Sequence, residues 1–99
     1  MYARLSLAPT TPDTWDQAQA VWREQLLPLI RQQKGFRGVL VMGERSANKG
    51  ATLTLWETEA DAQASMQSEN FRQAMAALGP FIAAQPEMQH YEVTIQEIV

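Results

Sequence analysis

The sequence predicts an α+β domain in which four β-strands and two helical segments alternate in the order βαββαβ. The predicted strands alternate apolar and polar residues with a period of two, which is typical of strands with two different faces. The segments between them repeat apolar residues every three to four positions, which is typical of amphipathic helices. The 99 residues are close to the commonest domain size, and we predict a single domain over residues 1–99.

The strands are placed by this alternation and by the turns between them. We predict strands over residues 2–7, 36–43, 51–57 and 90–98. The second and third strands are separated by a polar segment at residues 44–50. They therefore form a hairpin, with a loop of about six residues.

The first helix begins at residues 10–13, where threonines, a proline and an aspartate combine three helix-start signals. Its apolar stripe consists of Trp15, Ala18, Trp22, Leu26, Leu29 and Ile30. Pro28 lies inside this stripe and has no backbone N–H. We therefore expect a kink or an early end near Leu27.

The second helical segment has two predicted starts. Thr58 begins a capping box, and the helix runs through Met66. Ser68 is a second cap, so we expect the helix to break there and restart. Gly79 and Pro80 end the segment, and a further turn is predicted over residues 81–84.

This order is the ferredoxin-like split βαβ arrangement, an antiparallel sheet with both helices on one face. The other face is left open. The side chains assigned to it are Tyr2, Arg4, Ser6, Thr52, Thr54, Trp56, Glu92, Thr94 and Gln96. Arg4 needs a carboxylate there, and Glu92 is the natural partner. Because the chain is short and this face includes aromatic residues, we expect a homodimer formed through it.

Composition disfavours several classes of function. The net charge is −3 and the eight Lys and Arg residues are scattered, so no basic stripe for nucleic acid is predicted. The chain contains no cysteine, which excludes disulfides, thiolate metal sites and a cysteine nucleophile. No apolar run approaches the roughly 18 residues of a membrane span. We expect no membrane partner and a cytoplasmic protein.

Several short motifs lie in the middle of the chain. They are a Gly-Phe-Arg-Gly turn at residues 35–38, a strand ending in Trp-Glu-Thr at residues 56–58, and a Ser-x-x-Phe helix restart at residues 68–71. Together they resemble the antibiotic biosynthesis monooxygenase (ABM) domains of the dimeric α+β barrel superfamily. The resemblance implies two sheets packed face to face in a dimer, with a pocket between sheet and helices in each protomer.

The resemblance leaves two functions open. One is a cofactor-independent monooxygenase that acts on an aromatic or quinone-like small molecule. The other is a non-catalytic dimeric binding or accessory protein of the same fold, since no strong acid–base constellation is present. Haem degradation is disfavoured, because the positions that hold a Trp and a His in haem-degrading relatives hold Ser65 and Met75 here.

Candidate site residues are those that can face such a pocket. The predicted substrate-binding residues are Trp22, Trp56, Met66, Phe71, Met75 and Phe81. Aromatic and methionine side chains suit an adaptable apolar pocket, and the same spacing also fits core packing. Trp56 has a further alternative, packing on the partner sheet. His90, the only histidine, is the candidate catalytic base, with a solvated strand end as the alternative. No cofactor or metal ligand set is predicted.

Overall fold

The computed structural model describes residues 1–81 and 86–98. The strands in these ranges are β1 (Tyr2–Pro9), β2 (Phe36–Glu44), β3 (Lys49–Trp56) and β4 (Glu87–Glu92). They form an antiparallel sheet in the spatial order β2-β3-β1-β4. With helices between β1 and β2 and between β3 and β4, this order confirms the predicted ferredoxin-like arrangement.

The helical segments are short. The α-helices are α1 (Trp15–Val21), α2 (Leu27–Ile30), α3 (Glu59–Gln67) and α4 (Glu69–Ala76). Single 3-10 turns occur at Pro12–Thr14, Arg45–Ala47 and Gly79–Phe81. Residues 82–84 of the predicted extra turn lie outside the described residues. Within the described ranges, no helix combines the length and the apolar character that crossing a membrane requires.

Between α1 and α2 the chain widens into a π-helical turn, Trp22–Leu26. The backbone N–H of Leu27 donates to the carbonyl of Trp22. Pro28 has no N–H to offer the carbonyl one turn back, so a regular α-helix cannot continue through this point. Of the two predicted outcomes, a kink or an early end near Leu27, the early end does not occur: the helix is distorted into the wider turn, which accommodates the proline, and it continues to Ile30.

Hydroxyl side chains cap both starts of the second helical segment. Thr58 Oγ1 accepts a hydrogen bond from the backbone N–H of Asp61 at 3.1 Å. Ser68 Oγ accepts one from the N–H of Phe71 at 3.4 Å. These bonds confirm the predicted break and restart. At the first helix, Thr11 holds the cap position, but its side chain makes no capping bond and contacts another hydroxyl instead.

The hairpin between β2 and β3 is tighter than predicted. Its strands pair as far as Glu44 opposite Lys49, so the loop contains only residues 45–48. A 3-10 turn followed by Asn48, whose φ of 52° is in the left-handed region, reverses the chain. Asparagine tolerates this conformation better than most residues, which makes the short loop feasible.

The predicted last strand (residues 90–98) has the wrong limits, because β4 ends where β1 begins. Glu92 lies opposite Tyr2. The N–H of Val93 donates to the Met1 carbonyl at 2.9 Å, just beyond the paired residues of the two strands. Residues 94–98 of the predicted strand lie outside β4 and are exposed.

The core lies between the helices and one face of the sheet. Its buried members are Val21, Trp22, Leu26, Ile30, Trp56, Ala62, Phe71, Ala74 and Leu78. Trp56 is fully buried and meets the edge of the Phe36 ring, with 5.7 Å between ring centroids. Trp56 therefore packs inside its own protomer, and its predicted place on the open face is wrong.

The assignment of the two sheet faces is reversed from the prediction. Arg4 and Thr54 are buried under the helices together with Trp56. Since successive side chains alternate, their neighbours Leu5 and Leu53 point to the open face. The aliphatic side chains of that face are Leu5, Leu7, Leu40, Leu53 and Leu55. The open face therefore carries these leucines, and the covered face carries Arg4 and the threonines of β3.

Candidate functional site

A cavity of about 410 Å³ lies between the covered face of the sheet and the helices. Its aromatic and methionine lining consists of Trp15, Trp22, Met42, Met66, Phe71, Met75 and Met88. Its polar lining consists of Arg4, Ser6, Thr10, Gln19, Thr52 and Thr54. The composition is that of a small-molecule site, in which an apolar wall holds a ring system and a few polar groups orient it.

Arg4 is the charged residue of this lining among the described residues. Its side chain leaves β1 and reaches α3, where Nη1 donates to the Ala62 carbonyl at 2.9 Å and Nη2 donates to Ser65 Oγ at 3.3 Å. The guanidinium carbon lies 5.6 Å from the centroid of the Trp56 ring. Burial lowers the pKa of the Arg4 guanidinium, because leaving water disfavours its charged form.

The predicted ion pair between Arg4 and Glu92 is wrong. The register of β1 and β4 places His90 opposite Arg4, and Glu92 is exposed at the end of β4. The ion pairs among the described residues are Arg37–Glu57 and Arg45–Asp16. The hydrogen-bond acceptors of Arg4 in the described part of the chain are therefore neutral.

Trp56 and Thr54 form the floor beneath Arg4. Trp56 Nε1 donates to Thr54 Oγ1 at 2.9 Å. Thr54 Oγ1 in turn donates to the Arg4 carbonyl at 3.5 Å. The indole and the hydroxyl satisfy each other, so this buried pair carries little of the usual cost of burying polar groups.

Trp15 is fixed at the end of the cavity near the β2–β3 hairpin. A Cβ at Gly43 would overlap the Trp15 ring, so glycine is required there for space. The Arg45 guanidinium lies 5.4 Å from the Trp15 ring centroid, and its Nη2 is 2.5 Å from Asp16 Oδ1. Trp15 is therefore held from two sides.

A second cavity, of about 290 Å³, adjoins the first. The two share Arg4, Met66 and Met88 in their linings. His90 lines the smaller one and stacks on Tyr2, with ring centroids 6.3 Å apart and planes 21° apart. His90 itself is exposed.

The structure brings together four of the six predicted substrate-binding residues. Trp22, Met66, Phe71 and Met75 line the larger cavity. Trp56 is buried beneath it, and Phe81 packs against the core; neither belongs to the described lining. His90, the candidate base, lies at the smaller cavity, next to the larger one but outside its described lining.

Sequence reasoning singled out Arg4 but placed it on the open face, in a pair with Glu92, and it gave Trp15 mainly to the core. The available signal was a charged residue in the middle of a strand, flanked by Ala3 and Leu5. Whether this residue faces the helices or the open side depends on which sheet face the helices cover. The alternation of residues alone does not decide that. Trp15 follows the same stripe as Trp22, so its spacing could not separate the two roles.

The described residues contain no group of three or more His, Cys, Asp or Glu side chains arranged to hold a metal ion. The family model described as antibiotic biosynthesis monooxygenase (ABM) matches residues 1–77. The chain belongs to this family. The match includes Arg4 and most of the larger cavity's lining, and it ends within the segment between α4 and β4.

Solved structures of similar fold come from several organisms. A candidate antibiotic biosynthesis monooxygenase from Bordetella bronchiseptica has a TM-score of 0.82 at 20% identity, over 95% of this chain and 97% of that one. SnoaB, a cofactor-independent oxygenase from Streptomyces nogalater, has a TM-score of 0.78 at 13% identity, over 96% and 94%. Rv0793 from Mycobacterium tuberculosis has a TM-score of 0.78 at 12% identity, over 96% of both chains.

These identities establish a shared fold across nearly the whole ABM chain. No curated protein sequence matches it. The activity must therefore be argued from the cavity itself.

Proposed function

We propose that this ABM-family protein is a cofactor-independent monooxygenase that acts on an aromatic or quinone-like small molecule. The observation that carries the proposal is the cavity of about 410 Å³ between sheet and helices, lined by aromatic and methionine side chains with Arg4 at its wall. Membership of the family and the fold shared with one cofactor-independent oxygenase support it. The space suits a fused aromatic ring system.

In such a reaction the substrate supplies all the electrons. A ring CH₂ releases a proton to water and becomes an enolate, and O₂ adds to that carbon. The peroxide anion takes up a proton to give a hydroperoxide, which loses water and leaves C=O in place of the CH₂. The protein contributes position, a dry apolar wall and a positive charge near the enolate oxygen. Trp22 and Phe71 supply the wall, and Arg4 supplies the charge.

The same proposal includes a homodimer formed through the open face of the sheet. That face carries leucines instead of the polar residues expected from the sequence, and in the single chain Leu40 is 54% exposed and Tyr91 is 52% exposed. Burying a second copy against them removes a large apolar surface from water. It also leaves the cavity untouched, because the cavity opens on the other side of the sheet.

Oxygen consumption with anthrone, a tricyclic ketone with an acidic CH₂, tests the activity. We expect uptake of O₂ without added cofactor, and anthraquinone carrying one ¹⁸O atom when ¹⁸O₂ is supplied. Ala18→Phe fills the larger cavity from α1, so it lowers the rate by at least about tenfold. Ala64→Phe is the matched control, because Ala64 is exposed on α3 and lines neither cavity.

The second candidate function is a non-catalytic binding or accessory protein of the same fold. It is favoured by the larger cavity's described lining, which contains no Asp, Glu or His to take a proton. Binding of anthraquinone that Ala18→Phe abolishes, without O₂ uptake by the wild type, would establish this second function. Measurable O₂ uptake that is equal in the wild type and in Ala18→Phe would contradict both candidate functions.

A further inference from the structure

Arg4 is a buried cation whose charge the described residues do not neutralise. Its exposure is 6%, and its two hydrogen-bond acceptors, the Ala62 carbonyl and Ser65 Oγ, are neutral. Neither ion pair of the described chain includes it. A buried charge without a counter-charge is costly, and a protein gains nothing in stability from keeping one.

The surroundings of Arg4 also lack acidic groups. The described linings of both cavities contain no aspartate and no glutamate. The whole chain is negative, with a net charge of −3, so the positive character of these cavities is local. In a low-dielectric wall, a single positive charge attracts an anion more strongly than a surface arginine does.

Arg4 stands where the two cavities meet, because it belongs to both linings together with Met66 and Met88. A guanidinium has five N–H donors, and the bonds to α3 engage Nη1 and Nη2. These bonds fix the plane of the group. A ring in the larger cavity can therefore present an oxygen to a cation that is already oriented.

We propose that Arg4 is the specificity residue of this site, and that it selects aromatic ligands carrying an ionised oxygen, such as a carboxylate, a phenolate or an enolate. The ring lies against the aromatic and methionine wall, and the charged oxygen binds the guanidinium. The inference rests on the proposed function only for the location of the ligand in the larger cavity.

A purely structural role for Arg4, tying β1 to α3, makes a different prediction. In that case the arginine stabilises the free protein and is indifferent to the charge of a ligand. If Arg4 is kept for an anion, Arg4→Met leaves the melting temperature of the free protein unchanged or raises it, because the stem is preserved and the uncompensated charge is removed.

The decisive experiment compares two probes of the same shape, 2-naphthoate and the neutral 2-naphthamide, by titration calorimetry. The wild type binds 2-naphthoate at least about tenfold more tightly than 2-naphthamide, the gain expected from a charge-assisted hydrogen bond. Arg4→Met abolishes this preference and keeps the affinity for 2-naphthamide. Arg72→Met keeps the preference, because Arg72 is exposed on α4 and lines neither cavity.

Equal affinity of the wild type for both probes would overturn the proposal, as would no binding of 2-naphthoate at millimolar concentration. A preference that survives in Arg4→Met would overturn it too. Should Arg4→Met fail to fold, Arg4→Gln applies the same test, since its neutral amide still reaches toward α3. Neither probe has a CH₂ to oxidise, so the result stands whether or not the protein consumes O₂ with anthrone.

Discussion

The two faces of the sheet differ in burial, and the difference is the opposite of what the polarity of their side chains suggests. The covered face carries an arginine, threonines and a serine, yet Arg4 and Thr54 are among the most buried residues of the chain. The open face carries leucines, and Leu40 is more than half exposed. Polarity alone would have placed the helices on the wrong side.

The difference shows that side-chain polarity alone does not decide which face is covered, because a polar face can be buried when its hydrogen bonds are made within the protein. The buried polar side chains of the covered face have partners: Trp56 donates to Thr54, and Arg4 donates to α3. Among the described residues, no buried side-chain nitrogen or oxygen lacks a hydrogen bond. A sheet face whose polar side chains are hydrogen-bonded within the protein can be buried at little cost. It can then line a ligand cavity.

The largest expected effect comes from removing the centre of the covered face. Trp56→Ala deletes a fully buried side chain and the ring under Arg4, so we expect the free energy of unfolding to fall by about 3–5 kcal/mol. Urea unfolding followed by far-UV circular dichroism measures the loss. Ile95→Ala is the control, because Ile95 is 87% exposed. A loss below about 1 kcal/mol would mean that Trp56 is not a core residue.

The next effect concerns the open face. Leu40→Lys places a charge in the proposed dimer interface, so we expect the dimer dissociation constant to rise by at least about thirtyfold, or about 2 kcal/mol. Sedimentation velocity over a range of concentrations measures it. Ala64→Lys, on the exposed surface of α3, leaves the constant unchanged. A wild type that is monomeric at every concentration would contradict the assignment of this face.

The smallest effect separates two threonines on the same strand and the same face. Thr54→Val leaves the buried Trp56 N–H without its acceptor, so we expect a loss of about 1–2 kcal/mol in the free energy of unfolding. Thr52→Val costs less, because the Thr52 side chain is only half-buried and makes no hydrogen bond among those described. Equal losses in urea titrations would mean that the Trp56–Thr54 bond does not stabilise the covered face.

The sequence was sufficient for the order of the elements and for the approximate position of most of them. Residues in strands alternate and residues in helices recur every three to four positions, so β1, the hairpin and the break at Ser68 could be predicted from local pattern. The limits of β4 could not, because they depend on where β1 begins. Pro28 allowed a distortion of the first helix to be predicted. It did not allow the prediction that the helix would continue through a π turn as far as Ile30.

The candidate site was harder, because it depends on contacts between distant residues. Arg4 meets Ala62 and Ser65 across about sixty positions of sequence, and no local spacing encodes that meeting. The apolar wall was easier, since Trp22, Phe71 and Met75 lie on the helix stripes that any core would use. The sequence does not show whether these side chains fill the space next to the sheet or leave a cavity there.

The π turn at Trp22–Leu26 also sets how the first helix can change in evolution. Each residue added to or removed from an α-helix rotates everything beyond it by about 100°. The π turn holds one residue more than an α turn, so it can absorb such a change. Deleting one residue here would return the turn to α geometry and leave Trp15 and Ala18 facing the cavity, while Ile30 stays anchored in the core. A single-codon deletion at this turn would therefore disturb the cavity wall less than one in the regular turns of the first helix.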